Sequence, residues 1–164
     1  MSTIVALSGS LRQASYNTAL LRSASTLCPA GVQLDLRSLH GIPLYDGDVE
    51  AQGVPTAVTA LQQAIQTADG LLICTPEYNN SMPGVLKNGL DWLSRGPEGK
   101  KTFGGKPTAL IGATPGGFGT VQSQDAMLSV LRALAVDFWF GGRLMVSKAH
   151  TLFDADGARC RTRR

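Results

Sequence analysis

The chain has 164 residues, 43% of them hydrophobic, and a formal net charge of +3. That length supports one buried core with little room for a second, and no apolar run approaches the ~20 residues that a membrane helix needs. Arg159, Arg161, Arg163 and Arg164 crowd the C-terminus, and without those four charges the body sits at about −1, which argues against nucleic-acid binding because a phosphate backbone needs a basic face.

The N-terminal Met1-Ser2-Thr3 has no basic stretch, and the apolar run after it is too short for a secretory leader. Cys28, Cys74 and Cys160 are odd in number, far apart and without a C-x-x-C pair. That usage fits reduced cytoplasmic thiols better than a disulfide framework or a zinc site. The expectation is a cytoplasmic protein with no membrane or nucleic-acid partner, whose residues 158–164 form a solvated arginine-rich tail.

In chain order, Thr3 to Leu7 is a short apolar run, as in a buried parallel strand. From Ser15 to Leu27, Ala19, Leu20, Ala24 and Leu27 recur at helical spacing, with Ser15 or Asn17 as N-cap and Pro29-Ala30-Gly31 as terminator. Val32 to Leu36 alternates like a half-exposed strand, and the stretch from Leu39 to Val54 reads as irregular. Pro55 opens a helix running to about Ala68, and Gly70 to Cys74 is the third strand. Pro83-Gly84 opens a helix through Leu93, and Gly96 to Lys101 reads as a polar loop. Thr108 to Ala113 is the fourth strand, Val121 to Val136 a helix, and Phe138 to Val146 a fifth strand interrupted by Gly141-Gly142. This alternation predicts an α/β, doubly wound, five-stranded parallel sheet with helices on both faces. By analogy with flavodoxin, which illustrates this rule in general accounts of the fold, the order is 2-1-3-4-5 and ligands sit beyond strands 1 and 3.

Two unusual loops follow those strands. The first, Gly9 to Asn17, offers Ser10, Ser15 and Asn17 as short donors beside a helix start, with Arg12 as its one fixed cation. Such a loop suits a phosphate; it lacks both G-x-G-x-x-G and Walker A. The second, Thr75 to Gly84, is stiffened by Pro76 and Pro83, so the N–H groups of Glu77, Tyr78 and Asn79 can be fixed in advance along the edge of a planar heterocycle. A third loop, Thr114 to Thr120, has glycines that allow close approach to a flat ring. Together the loops suggest a site for flavin mononucleotide (FMN). Taken singly, each also reads as an ordinary capped helix start, a stiffened connection or a flexible turn.

At these residues the chain resembles the NADPH-dependent FMN reductases of flavodoxin-like fold, which include chromate, quinone and azo-dye reductases. The matching pieces are G-S-L-R-x-x-S-Y-N at 9–17, I-P-L-Y-D at 42–46 and T-P-E-Y-N-x-S-x-P-G-x-L-K-N-x-L-D-W at 75–92. The resemblance implies that Ser10, Arg12, Ser15, Tyr16 and Asn17 hold the FMN phosphate, that Pro76, Glu77, Tyr78 and Asn79 line the isoalloxazine, and that Thr114, Gly116 and Gly117 close over it. It implies a homodimer or homotetramer with Lys87, Asp91 and Trp92 near a subunit boundary. It also implies hydride transfer from NADPH or NADH through FMN to a small acceptor: a quinone, free flavin, azo dye or metal oxyanion. His40 and His150 stand alone and no G-x-S-x-G occurs, so no protein-borne catalytic group is expected. A flavodoxin-like FMN electron carrier is the rival reading, disfavoured because such carriers are strongly acidic. Residues 1–157 are read as one FMN-binding domain. The resemblance departs after Asp154-Ala155-Asp156-Gly157, where members continue into an amphipathic helix and this chain has no apolar stripe.

Overall fold

The structure, a computed structural model, describes residues 1–154 together with Gly157 and Cys160. In chain order the elements are β1 (Ser2–Ser8), α1 (Tyr16–Ser25), β2 (Val32–Arg37), α2 (Gly47–Gln52), α3 (Thr56–Thr67) and β3 (Gly70–Cys74). There follow α4 (Gly84–Leu93), α5 (Gly99–Phe103), β4 (Pro107–Ala113), α6 (Val121–Ala133), β5 (Asp137–Phe138), β6 (Leu144–Val146) and a 3-10 turn at Ala149–Thr151. The parallel sheet runs β2-β1-β3-β4-β5, so the order reverses at β1 and β3 as the sequence predicts. In register, Ile4 faces Gly70 and Ser8 faces Cys74, which brings the carboxyl ends of β1 and β3 level.

The fifth position of the sheet differs from the expectation of one interrupted strand. β5 pairs the start of β4 (Pro107 with Asp137), and β6 pairs its end (Ile111 with Leu144). Between them the Trp139 ring folds over the glycine pair. A Cβ on Gly141 would lie 2.6 Å from that ring, so the ring rests on the glycine and would have to move for any larger residue. Two segments read as loops are short helices. α2 is started by Asp46, whose side chain accepts from Asp48 N–H at 2.9 Å, and α5 buries Phe103.

Alternation along the strands sorts the core into two layers. Val5, Leu7, Leu71 and Ile73 pack under α3, α4 and α6 with Ile65, Leu90 and Trp92. Ala6 and Cys74 face the other way, against Leu20 and Leu21 of α1 and against Phe153. Among the described residues, α1 leaves part of that second face open. A groove of about 360 Å³ there is lined by strand and loop residues alone, among them Ile4, Leu34, Leu72, Ala109 and Trp139. The arginine-rich segment and the expected lack of a final helix fall on 155–164, which apart from Gly157 and Cys160 lies outside the described residues.

Candidate functional site at the carboxyl edge of the sheet

The first loop leaves β1 at Ser8, and its path is tied at once to β3: Gly9 N–H donates to Cys74 O at 2.8 Å. A Cβ on Gly9 would lie 3.1 Å from that carbonyl and 3.3 Å from Pro76 Cδ, so glycine lets the first two loops lie against each other. Ser15 caps α1 by accepting from Thr18 N–H at 3.3 Å, and Ser10 Oγ accepts from Arg12 N–H at 3.3 Å. Both serines are buried, whereas Arg12 is exposed. Among the described residues no group accepts from the N–H groups of Ala14, Ser15, Tyr16 or Asn17, and none pairs with the Arg12 guanidinium. A row of amides without partners at the positive end of a ten-residue helix, two residues after an exposed arginine, has the donors and the charge that an anion site requires.

Two residues of this loop are placed differently from the expectation. The Asn17 side chain turns inward: its Nδ2 donates to Ala113 O and its Oδ1 accepts from Ala113 N–H, each at 2.9 Å. Its Oδ1 also accepts from the Cys74 thiol at 3.2 Å. Ser15, not Asn17, is therefore the N-cap; Asn17 clamps α1 to the end of β4, and its backbone N–H and the second hydrogen of Nδ2 remain without a partner among the described residues. The Tyr16 ring packs on Phe153, with centroids 6.5 Å apart, and its N–H is without a partner among the described residues. Burial in apolar surroundings pushes the Cys74 thiol far up from its ordinary value, so it stays a neutral S–H donor.

The second loop folds as a two-residue hairpin. Tyr78 N–H donates to Ser81 O at 3.0 Å and Ser81 N–H to Tyr78 O at 3.1 Å. Asn79 and Asn80 sit at the tip with φ of 48° and 62°, the left-handed pair that such a turn requires. The Tyr78 N–H is thus consumed by the turn, while among the described residues nothing accepts from the N–H groups of Glu77 and Asn79. Pro76 is buried at the base and the Tyr78 ring is exposed. The Glu77 carboxylate is turned away from the hairpin tip, accepting from Gln122 N–H and Ser123 N–H at the start of α6.

The third loop is held at both ends. Thr114 N–H donates to Val146 O at 3.0 Å, and Thr114 Oγ1 accepts from Gly116 N–H at 3.3 Å. Lys148 N–H donates to Gly116 O at 2.9 Å, while Gly119, at φ +67°, returns close against Met145. Gly116 and Gly117 lie exposed between these anchors, and Phe118 beside them is 90% exposed, an aromatic to which the sequence reading assigned no role. The structure thus brings loops 1, 2 and 3 to one edge of the sheet. The ends of β3 and β4 join them, through Thr75 N–H donating to Ile111 O at 2.9 Å.

The site combines donors for an anion, donors for a planar edge and a glycine wall, and these features fit a flavin mononucleotide: phosphate on loop 1, ring beside loops 2 and 3. No triad competes. His40 hydrogen-bonds Ser38 at 3.0 Å, and His150 is exposed on the 3-10 turn. A groove of about 630 Å³ between α6 and β5 is lined by Leu128, Arg132, Val136, Phe138 and Phe140, and shares no residue with the three loops.

Comparison with known proteins places this geometry. The model of the family described as NADPH-dependent FMN reductase matches residues 2–151. An NAD(P)H-dependent FMN reductase of Pseudomonas aeruginosa is 47% identical over 154 residues, covering 94% of this chain and 82% of that protein. A 2-hydroxy-1,4-benzoquinone reductase of a Burkholderia species is 40% identical, covering 94% and 83%. Among solved structures, the flavoenzyme FerB of Paracoccus denitrificans, an NAD(P)H:(acceptor) oxidoreductase, superposes with a TM-score of 0.85 at 31% identity, covering 97% of this chain and 86% of that one.

Proposed function

Since the chain belongs to the NADPH-dependent FMN reductase family, and so is an FMN-dependent NAD(P)H oxidoreductase, we propose that its three loops hold the FMN and that its acceptor is a small quinone. When bound, FMN supplies two-electron hydride chemistry. The protein's part is to bind, orient and tune. Arg12 and the free N–H groups of residues 14–17 hold the phosphate, with the Ser10 and Ser15 hydroxyls beside them. The N–H groups of Glu77 and Asn79 donate along one ring edge, where Pro76 fixes the backbone that carries them. Thr114, Gly116 and Gly117 cover the ring, and the exposed rings of Tyr78 and Phe118 flank the entrance.

The observation that carries this reading is the row of unpaired amides at the start of α1, joined through Gly9 and Cys74 to the hairpin loop. The quinone class rests on the benzoquinone reductase among the relatives, a flat acceptor suited to an aromatic-flanked mouth. The chain works as a homo-oligomer in the cytoplasm. Support for the first comes from the open sheet face, and for the second from three free thiols and from the lack, among the described residues, of a helix able to cross a membrane. Residues 1–157 act as a single FMN-binding domain. The test is spectroscopic and kinetic together. The purified protein should be yellow, release FMN on denaturation, and oxidise NADPH or NADH only when a benzoquinone or free flavin is supplied. A yellow protein inert to both nicotinamides overturns the reading.

A further inference from the structure

Glu77 belongs to the loop beside the proposed flavin ring, yet its carboxylate is spent on another element. Oε2 accepts from Gln122 N–H at 2.8 Å and from Ser123 N–H at 3.0 Å, the second and third residues of α6. That helix has no acidic residue in its first turn, and Thr120 at its N-cap gives no side-chain cap; the Thr120 hydroxyl instead accepts from Gln124 Nε2 at 2.9 Å. A residue 45 positions upstream therefore does what a local cap does elsewhere, with a full negative charge at the positive helix end. A second tie runs alongside, where the buried hydroxyls of Thr75 and Ser123 lie 2.8 Å apart. Gly112 packs so tightly between Thr120 and the Thr75 carbonyl that a Cβ has no room, so the base of the two loops cannot shift independently.

We propose that Glu77 is a positioning residue: its carboxylate latches the hairpin loop to the start of α6, and so fixes the spacing between the hairpin and the glycine loop that together grip the flavin ring. This rests on the FMN reading above. The carboxylate itself touches neither substrate nor reacting atom. Because α6 begins where the glycine loop ends, one carboxylate sets two walls of the ring site while leaving the phosphate loop alone. Loss of the latch therefore acts on the ring and not on the phosphate.

The experiment compares Glu77→Ala and Glu77→Gln with wild type in flavin-free protein. Fluorescence titration with FMN and with riboflavin measures affinity, and amide hydrogen exchange reports on Gln122 and Ser123. Glu77→Ala should weaken both flavins by the same factor, about tenfold, which corresponds to ~1.4 kcal/mol. Glu77→Gln, which keeps the size and one acceptor oxygen, should fall between, and it carries the test if the alanine variant does not fold. Both variants should show faster exchange at residues 122 and 123. Faster exchange with unchanged flavin affinity would reduce Glu77 to a helix cap and overturn the proposal, as would unchanged exchange or an effect confined to FMN. A wild type that binds neither flavin would instead overturn the functional reading, visibly before any variant is compared.

Discussion

At the scale of single residues, the site divides into groups that face a ligand and groups that hold those in place. Arg12 is of the first kind: exposed, without an ionic partner among the described residues, and beside a row of free amides. Arg12→Ala should cost about 1–2 kcal/mol of FMN affinity, the range of a charge-assisted bond discounted for exposure. Riboflavin, which has no phosphate, should bind the variant as well as wild type, and equal losses for both would remove Arg12 from the phosphate site. Asn17 is of the second kind. Asn17→Ala leaves the N–H and C=O of Ala113 unpaired in a buried place, which costs about 2–4 kcal/mol of folding stability by the usual penalty per group. Urea unfolding of the flavin-free protein measures it. Cys74 carries a pH signature. Its thiol value is raised by burial, so the folded chain keeps a proton that the unfolded chain loses. That stability is fully present below the ordinary thiol range of about 8.5 and declines as pH rises above it. Cys74→Ala should flatten the decline between pH 8.5 and 10 relative to wild type, whatever its offset at neutral pH. The sequence shows these residues by type but not by role. A serine before a helical run announces a cap, and Ser15 is one, whereas Asn17 and Glu77 bond to backbone atoms 96 and 45 positions away, for which one chain's pattern holds no signal.

At the scale of elements, strand and helix periodicity is legible wherever an element buries one continuous face. β1, β3, β4, α1, α3 and α4 all lie within a few residues of their expected bounds. What fails is short or glycine-rich. α2 has glycine at its first residue and again just past its end, and no buried residue, so its sequence looks like loop. Contacts hold the approach to it in place: Tyr45 N–H donates to Asn88 Oδ1 at 2.8 Å, and the Tyr45 hydroxyl donates to Glu50 at 2.8 Å. The hairpin loop teaches the opposite lesson. Asn79 enters the sequence analysis through its N–H alone, yet the left-handed backbone of Asn79 and Asn80 is what the turn requires. Asn80→Val should cost about 1–2 kcal/mol, since a β-branched residue resists the left-handed region, whereas Asn80→Gly should be neutral or slightly stabilising. Thermal unfolding of the two variants separates a turn role from a ligand role: if glycine harms stability as much as valine, the backbone is not the reason for asparagine there.

At the scale of the whole molecule, the sheet is covered evenly on one face and unevenly on the other. Among the described residues, α3, α4 and α6 close the first face, while α1 and residues 149–153 cover only part of the second. Ile4, Leu34 and Leu72 line the open groove there, and the half-exposed Trp139 forms one wall. Phe140 follows at 75% exposure and Leu144 is 46% exposed, so the edge at β5 and β6 is apolar as well. Exposed aromatic surface next to an open sheet face marks a contact site. Covering even ~400 Å² of apolar area is worth about 10 kcal/mol at 25 cal/mol per Å², a gain from which association and side-chain ordering subtract a large part. The homo-oligomer proposed above requires that this balance be favourable, with a second copy on this face. Sedimentation at micromolar protein should therefore show a dimer or larger species, and Trp139→Asp should shift it toward monomer while leaving FMN affinity within twofold, because the groove lies on the sheet face and not among the three loops. Trp139 also serves as its own reporter, since its fluorescence should shift to the blue as concentration rises through the association range. A folded, non-associating monomer at high concentration, with Trp139 fluorescence independent of concentration, would mean that water tolerates this face and that the second copy is not needed.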